Sequence, residues 1–70
     1  MTPGEALRAA RLAHGHSQTD LAIVLGISIQ YLNDIEMGRR PYPERLTSAL
    51  PDEIRREVIK AQIVGHLQNL

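Results

Sequence analysis

Apolar side chains recur at three- and four-residue spacings, in short runs separated by glycine or proline. That spacing belongs to helices with one buried face. Thr2-Pro3-Gly4-Glu5 reads as a helix start: Thr2 can cap, Pro3 suits the first helical position, and Glu5 can reach back to close a capping box. Leu7, Ala10 and Ala13 then line one face until Gly15 stops the helix. Ser17-Gln18-Thr19-Asp20 is a second capping-box-like start, with Asp where Glu is usual. Leu21, Ala22 and Leu25 follow, and Gly26 breaks the run after two turns. Ser28 is the next cap; Leu32 and Ile35 mark the inner face of a third helix, with Ile29 open between core and surface, and Gly38 ends it. Arg39-Arg40-Pro41-Tyr42-Pro43 is a loop, because each proline disfavours helix in the residue before it. Pro43 can open a short fourth helix through Leu46, Ala49 and Leu50, and Pro51-Asp52 restart a last one. The β-branched pair Ile23-Val24 sits inside a helical pattern, so strand signals are weak. The expectation is an all-α fold of five short helices forming a single domain over residues 1–70.

Two features of this pattern bear on function. Two short helices joined by a tight turn need a small residue where they cross, a glycine where the backbone turns left-handed, and inward apolar residues on the second helix. Ala22, Gly26, Leu32 and Ile35 meet those requirements within residues 17–37. The last helix is the second feature. At about 100° per residue, Ile54, Val58, Ala61 and Val64 fall on one side, and Ile59, Ile63, Leu67 and Leu70 on roughly the opposite side. An edge helix can bury one apolar face in its own core; two opposite faces call for a partner. The simplest partner is another copy. Residues 52–70 are then expected to be a dimerisation helix, with Ile59, Ile63, Leu67 and Leu70 at a two-fold interface suited to an inverted-repeat site.

The runs Ser17-Gln18-Thr19-Asp20-Leu21-Ala22, Leu25-Gly26-Ile27-Ser28 and Tyr31 to Pro41 resemble the Cro and lambda-type phage repressor family, also called XRE-like, of helix-turn-helix domains. The resemblance runs from about Gly4 to Leu50. It implies a five-helix lambda-repressor-like domain whose third helix enters the DNA major groove. Arg11 matches the family arginine that pairs with a glutamate at the end of helix three, here Glu36; neither is assigned to base reading. The resemblance puts Ile29, Gln30, Tyr31, Asn33 and Asp34 at the base-reading face. Gln30 can pair bidentately with adenine. Asn33 can do likewise or bond a phosphate, and Ile29 can touch a thymine methyl or simply pack. Tyr31 can bond a phosphate or stack on a sugar edge; Asp34 can accept from cytosine or orient a neighbouring arginine. The family residue matching Gln18 bonds a phosphate from a helix N-terminus. Arg39 and Arg40, in the loop after helix three, are the other phosphate candidates.

Composition tempers this picture without reversing it. The net charge is zero and the sequence pI about 6.8, whereas a nucleic-acid-binding domain is usually basic. Arg39 and Arg40 still form a local basic edge, while Asp52, Glu53 and Glu57 lie toward the other end. A chain of 70 residues buries only about 60 % of its unfolded surface, so self-association is a natural reinforcement. With no cysteine there is no disulfide or thiolate zinc site, which fits a cytoplasmic location. No apolar run approaches the roughly 18 residues of a membrane span. Catalysis finds no constellation: His14 and His16 lack a completing ligand set, His66 is isolated, and Ser17 and Ser28 read as caps without a base. No cofactor or metal is expected, and the chain is not expected to be an enzyme. The reading is a dimeric, sequence-specific regulator of double-stranded DNA, a repressor of phage or mobile-element type. The alternative is a protein-binding module, an antitoxin or adaptor, built on the same fold.

Overall fold

The computed structural model describes the backbone of residues 1–68 and the side chains of residues 1–65. Among these, four α-helices and one 3₁₀ helix follow one another: α1 (Pro3–Ala13), α2 (Gln18–Leu25), α3 (Ile29–Glu36), the 3₁₀ helix (Glu44–Ala49) and α4 (Asp52–Gln68). Each of the first three helices has the cap its sequence calls for. Thr2 accepts from the Glu5 N–H while Glu5 reaches back, closing the box at α1. At α2, Ser17 accepts from the Asp20 N–H at 3.0 Å but no return bond forms. The aspartate is one methylene shorter than the glutamate that normally makes it. Ser28 caps α3 through the Tyr31 N–H at 3.0 Å.

The three helices also end alike, on Gly15, Gly26 and Gly38, all at positive φ. At the end of α2, Gly26 has φ 69° and ψ 31°. The Ile27 N–H returns to Ala22 O at 3.0 Å and the Gly26 N–H to Ile23 O at 3.2 Å, the bond pair that closes a helix and turns the chain sharply. A Cβ in that backbone region costs about 1 kcal/mol, so glycine is what allows only three residues to separate α2 from α3.

The core is one cluster: Leu7 and Ala10 from α1; Leu21, Ala22 and Leu25 from α2; Leu32 and Ile35 from α3; Leu46 and Leu50; and Ile54 and Val58 from α4. Burying each large member stabilises the fold by about 1.5–3 kcal/mol. Tyr42 pins the proline-rich loop to this cluster and bonds Thr47 Oγ1 at 2.7 Å. Burial pushes its phenol up from the ordinary value, the Thr47 bond acting against that.

Four details depart from the periodicity. The segment expected as a fourth α-helix is a 3₁₀ helix, hemmed between Pro43 and Pro51. Leu50, turned to extended backbone ahead of Pro51, takes the buried place and Ala49 is exposed. Ala13 is exposed too, at the end of α1. Val64 is not covered by the core: it is 42 % exposed and borders an open apolar groove with Ala9, Ala13 and Ala61. Across that groove stand Met1 and the small side chains Ala6, Ala9, Ala10 and Ala13, which leave it open. Ile59 and Ile63 are 38 % and 57 % exposed; Leu67 and Leu70 lie outside the described side chains. No helix among the described residues is long and apolar enough to cross a membrane.

Candidate nucleic-acid interface

The orientation of α3 is fixed from below by a buried polar cluster. Arg11 of α1 and Glu36, the last residue of α3, are only 6 % and 2 % exposed. Arg11 donates through Nε to Glu36 Oε2 at 2.8 Å and through Nη2 to Oε1 at 3.0 Å, a bidentate fork. Its remaining Nη1 donates to the His16 carbonyl at 2.9 Å. Gln18, at the first position of α2, donates from its amide to Glu36 Oε1 at 3.2 Å. A single carboxylate thus ties together α1, the start of α2 and the end of α3. The Gln18 link was not legible in the sequence, where Gln18 stood only as a phosphate candidate. One of its amide N–H groups is engaged inward, and the other has no partner among the described residues.

α4 is tied to the same region from the other side. His16 Nε2 lies 3.2 Å from Glu53 Oε1. The backbone N–H of Glu53 at the helix start, and then the His16 contact, hold its carboxyl below the usual range. Contact across 37 positions left no signal in the local pattern. His14 is exposed and His16 half-buried in the α1–α2 turn, and no group of three potential metal ligands occurs among the described residues.

On the opposite, solvent side α3 presents a polar face that starts at its capped N-terminus. Ile29 and Gln30 are exposed; Tyr31, Asn33 and Asp34 are half-buried. Ile29 is 48 % exposed, on the surface rather than in the core. Tyr31 leans against the core cluster, and the Arg40 guanidinium sits over its ring at 5.8 Å from the centroid, within cation–π range. Arg39 folds back onto the helix: its Nε donates to Asp34 Oδ1 at 3.0 Å and its Nη2 to Asn33 Oδ1 at 2.6 Å. Gln30 Nε2 donates to the same Asp34 oxygen at 3.0 Å. Both arginines of the loop therefore lie beside the polar face. The geometry brings together every base-reading and loop-phosphate candidate and leaves Gln18 at the neighbouring α2 N-terminus.

A capped helix projecting polar side chains, held by a three-residue turn against a helix of equal length and flanked by arginines, can insert into a DNA major groove. Comparison with curated proteins and with solved structures finds no match. A family model described as Helix-turn-helix matches residues 7–48, more than half of the chain. It spans the middle of α1 through the 3₁₀ helix and so includes the whole of α2, the turn and α3. The chain belongs to the Cro/C1-type helix-turn-helix family of DNA-binding regulatory domains.

Proposed function

We propose that the chain is a sequence-specific transcriptional regulator that binds double-stranded DNA as a homodimer, repressing from an inverted-repeat operator of phage or mobile-element type. The observation that carries the reading is the outer face of α3, where Gln30, Asn33 and Asp34 stand beside Arg39 and Arg40 and hydrogen-bond among themselves and with Arg39. In this reading Gln30 is the principal base contact, with Ile29, Tyr31, Asn33 and Asp34 around it. The free N–H of Gln18 and the two arginines take phosphates on either side. The zero net charge fits a protein whose non-specific affinity is modest and whose binding depends on base contacts.

Selection from a random duplex library at moderate salt tests this directly. The expected product is an inverted repeat with half-sites about one helical turn apart. A folded sample that enriches nothing would exclude sequence-specific binding. It would favour the protein-binding module, to which the exposed Ile23 and Val24 of α2, at 74 % and 55 %, lend some support.

The dimer rests on α4. Ile59 and Ile63 sit on the side away from Ile54 and Val58, which are fully buried, and a two-fold contact there would cover them. Ile63→Glu puts a charge into that contact, and sedimentation should show monomers with the domain still folded. An intact dimer would place the interface elsewhere.

A further inference from the structure

The network on the outer face of α3 does more than neutralise charge. Asp34 stands in the last turn of the helix, where the backbone dipole disfavours a carboxylate. It also lies on the face that phosphates would approach. Only 20 % of its side chain is exposed, and a single oxygen accepts from both Gln30 Nε2 and Arg39 Nε. Arg39 in turn donates to Asn33 Oδ1. Gln30, Asn33 and Arg39 therefore share one fixed arrangement, with Asp34 at its centre.

We infer that Asp34 is a positioning residue that determines base specificity: it sets which hydrogen-bonding groups α3 shows to the DNA. The inference rests on the reading of α3 as the base-reading helix. With one N–H of its amide on Asp34, Gln30 shows its carbonyl and its second N–H. That acceptor–donor pair matches the N6 amino group and N7 of adenine. Asn33 already accepts from Arg39 with one lone pair of its carbonyl, which biases it toward donating from its NH₂ to acceptors such as purine N7, guanine O6 or thymine O4. Arg39 is at the same time held beside the helix, where its charge remains available to a phosphate.

The competing role for Asp34 is electrostatic only: a carboxylate that repels phosphate and lowers binding to every sequence alike. Asp34→Asn and Asp34→Ala remove that charge equally, but the asparagine oxygen can still accept from Gln30 and Arg39. The experiment measures the affinity of the wild-type protein and both variants for an operator obtained by selection. All four base pairs are placed in turn at the position whose preference Gln30→Ala abolishes. Both Asp34 variants should bind random DNA more tightly. Only Asp34→Ala should lose discrimination at that position, by about tenfold, toward the low end of what a bidentate base contact is worth; Asp34→Asn should keep most of it. Unchanged discrimination in Asp34→Ala, or equal loss in both variants, overturns the positioning role while leaving α3 as the reader. A wild-type protein with no base preference overturns the reading of α3 itself, and the role of Asp34 with it.

Discussion

Replacing Glu36 by alanine should cost about 3–5 kcal/mol of folding stability, the range for removing one partner of a buried ion pair. Arg11 would keep its Nη1 bond to the His16 carbonyl but would lose both arms of its fork, at a position only 6 % exposed. Gln18 would lose its acceptor as well. Small domains are stable by roughly 0.05–0.15 kcal/mol per residue, so the loss takes a large share of what 70 residues provide. Urea unfolding should show the midpoint falling to a small fraction of the wild-type value, or a variant unfolded without denaturant. The reason is the stranded charge, not the absence of an attraction. The double variant Arg11→Met, Glu36→Leu should therefore recover most of the stability, since apolar replacement of a whole buried pair is often neutral or better. A loss below about 1 kcal/mol in Glu36→Ala would mean the pair behaves as a solvated surface contact.

The double variant separates stability from orientation. Arg11, Gln18 and Glu36 belong to α1, α2 and α3 respectively, so the carboxylate holds the crossing angle of the two helices of the motif as well as the fold. Apolar contacts between Leu21, Leu25, Leu32 and Ile35 would keep α3 packed without it, but they are not directional. The bidentate fork is.

Helix starts and stops were legible in this sequence because they rest on local chemistry. Thr2, Ser17 and Ser28 cap through bonds to backbone three residues on, and Gly15, Gly26 and Gly38 occupy positive φ just past the end of each helix. The buried faces of α2 and α3 were legible for the same reason. What the local pattern did not reveal depends on neighbours distant in sequence. Ala13 and Val64 continue the apolar stripes of α1 and α4, yet both border a groove that the alanines around them leave open. Gln18 looks like any polar residue at a helix start until Glu36 arrives from 18 positions away. Gln30 and Asp34 are a helical i, i+4 pair, close enough to bond on spacing alone. The return of Arg39 onto the same oxygen depends on the turn at Gly38.

Gly4 is the position where local propensity and tertiary packing give opposite answers. In an isolated helix, replacing glycine by alanine stabilises by about 1 kcal/mol. Gly4 lies in the first turn of α1, buried against the end of α3, and a Cβ there would land on the backbone carbonyl oxygen of Ile35, with the Ile35 carbonyl carbon 3.3 Å away. Backbone atoms cannot rotate aside as a side-chain tip can. That same carbonyl accepts the Gly38 N–H at 3.2 Å, so moving it disturbs the close of α3 one residue before Glu36. Overpacking of this kind costs about 1–3 kcal/mol, and more where the obstruction is rigid; it outweighs the propensity gain. Gly4→Ala should therefore unfold at lower urea than wild type. Gly65 supplies the contrast: it lies within α4 and, among the described residues, an added Cβ meets nothing within 4 Å. Gly65→Ala should move the urea midpoint upward, by up to about 1 kcal/mol in stability. The same substitution at two helical glycines then gives opposite signs. If Gly4→Ala were stabilising as well, the close approach of α1 to α3 would not be what requires glycine at that position.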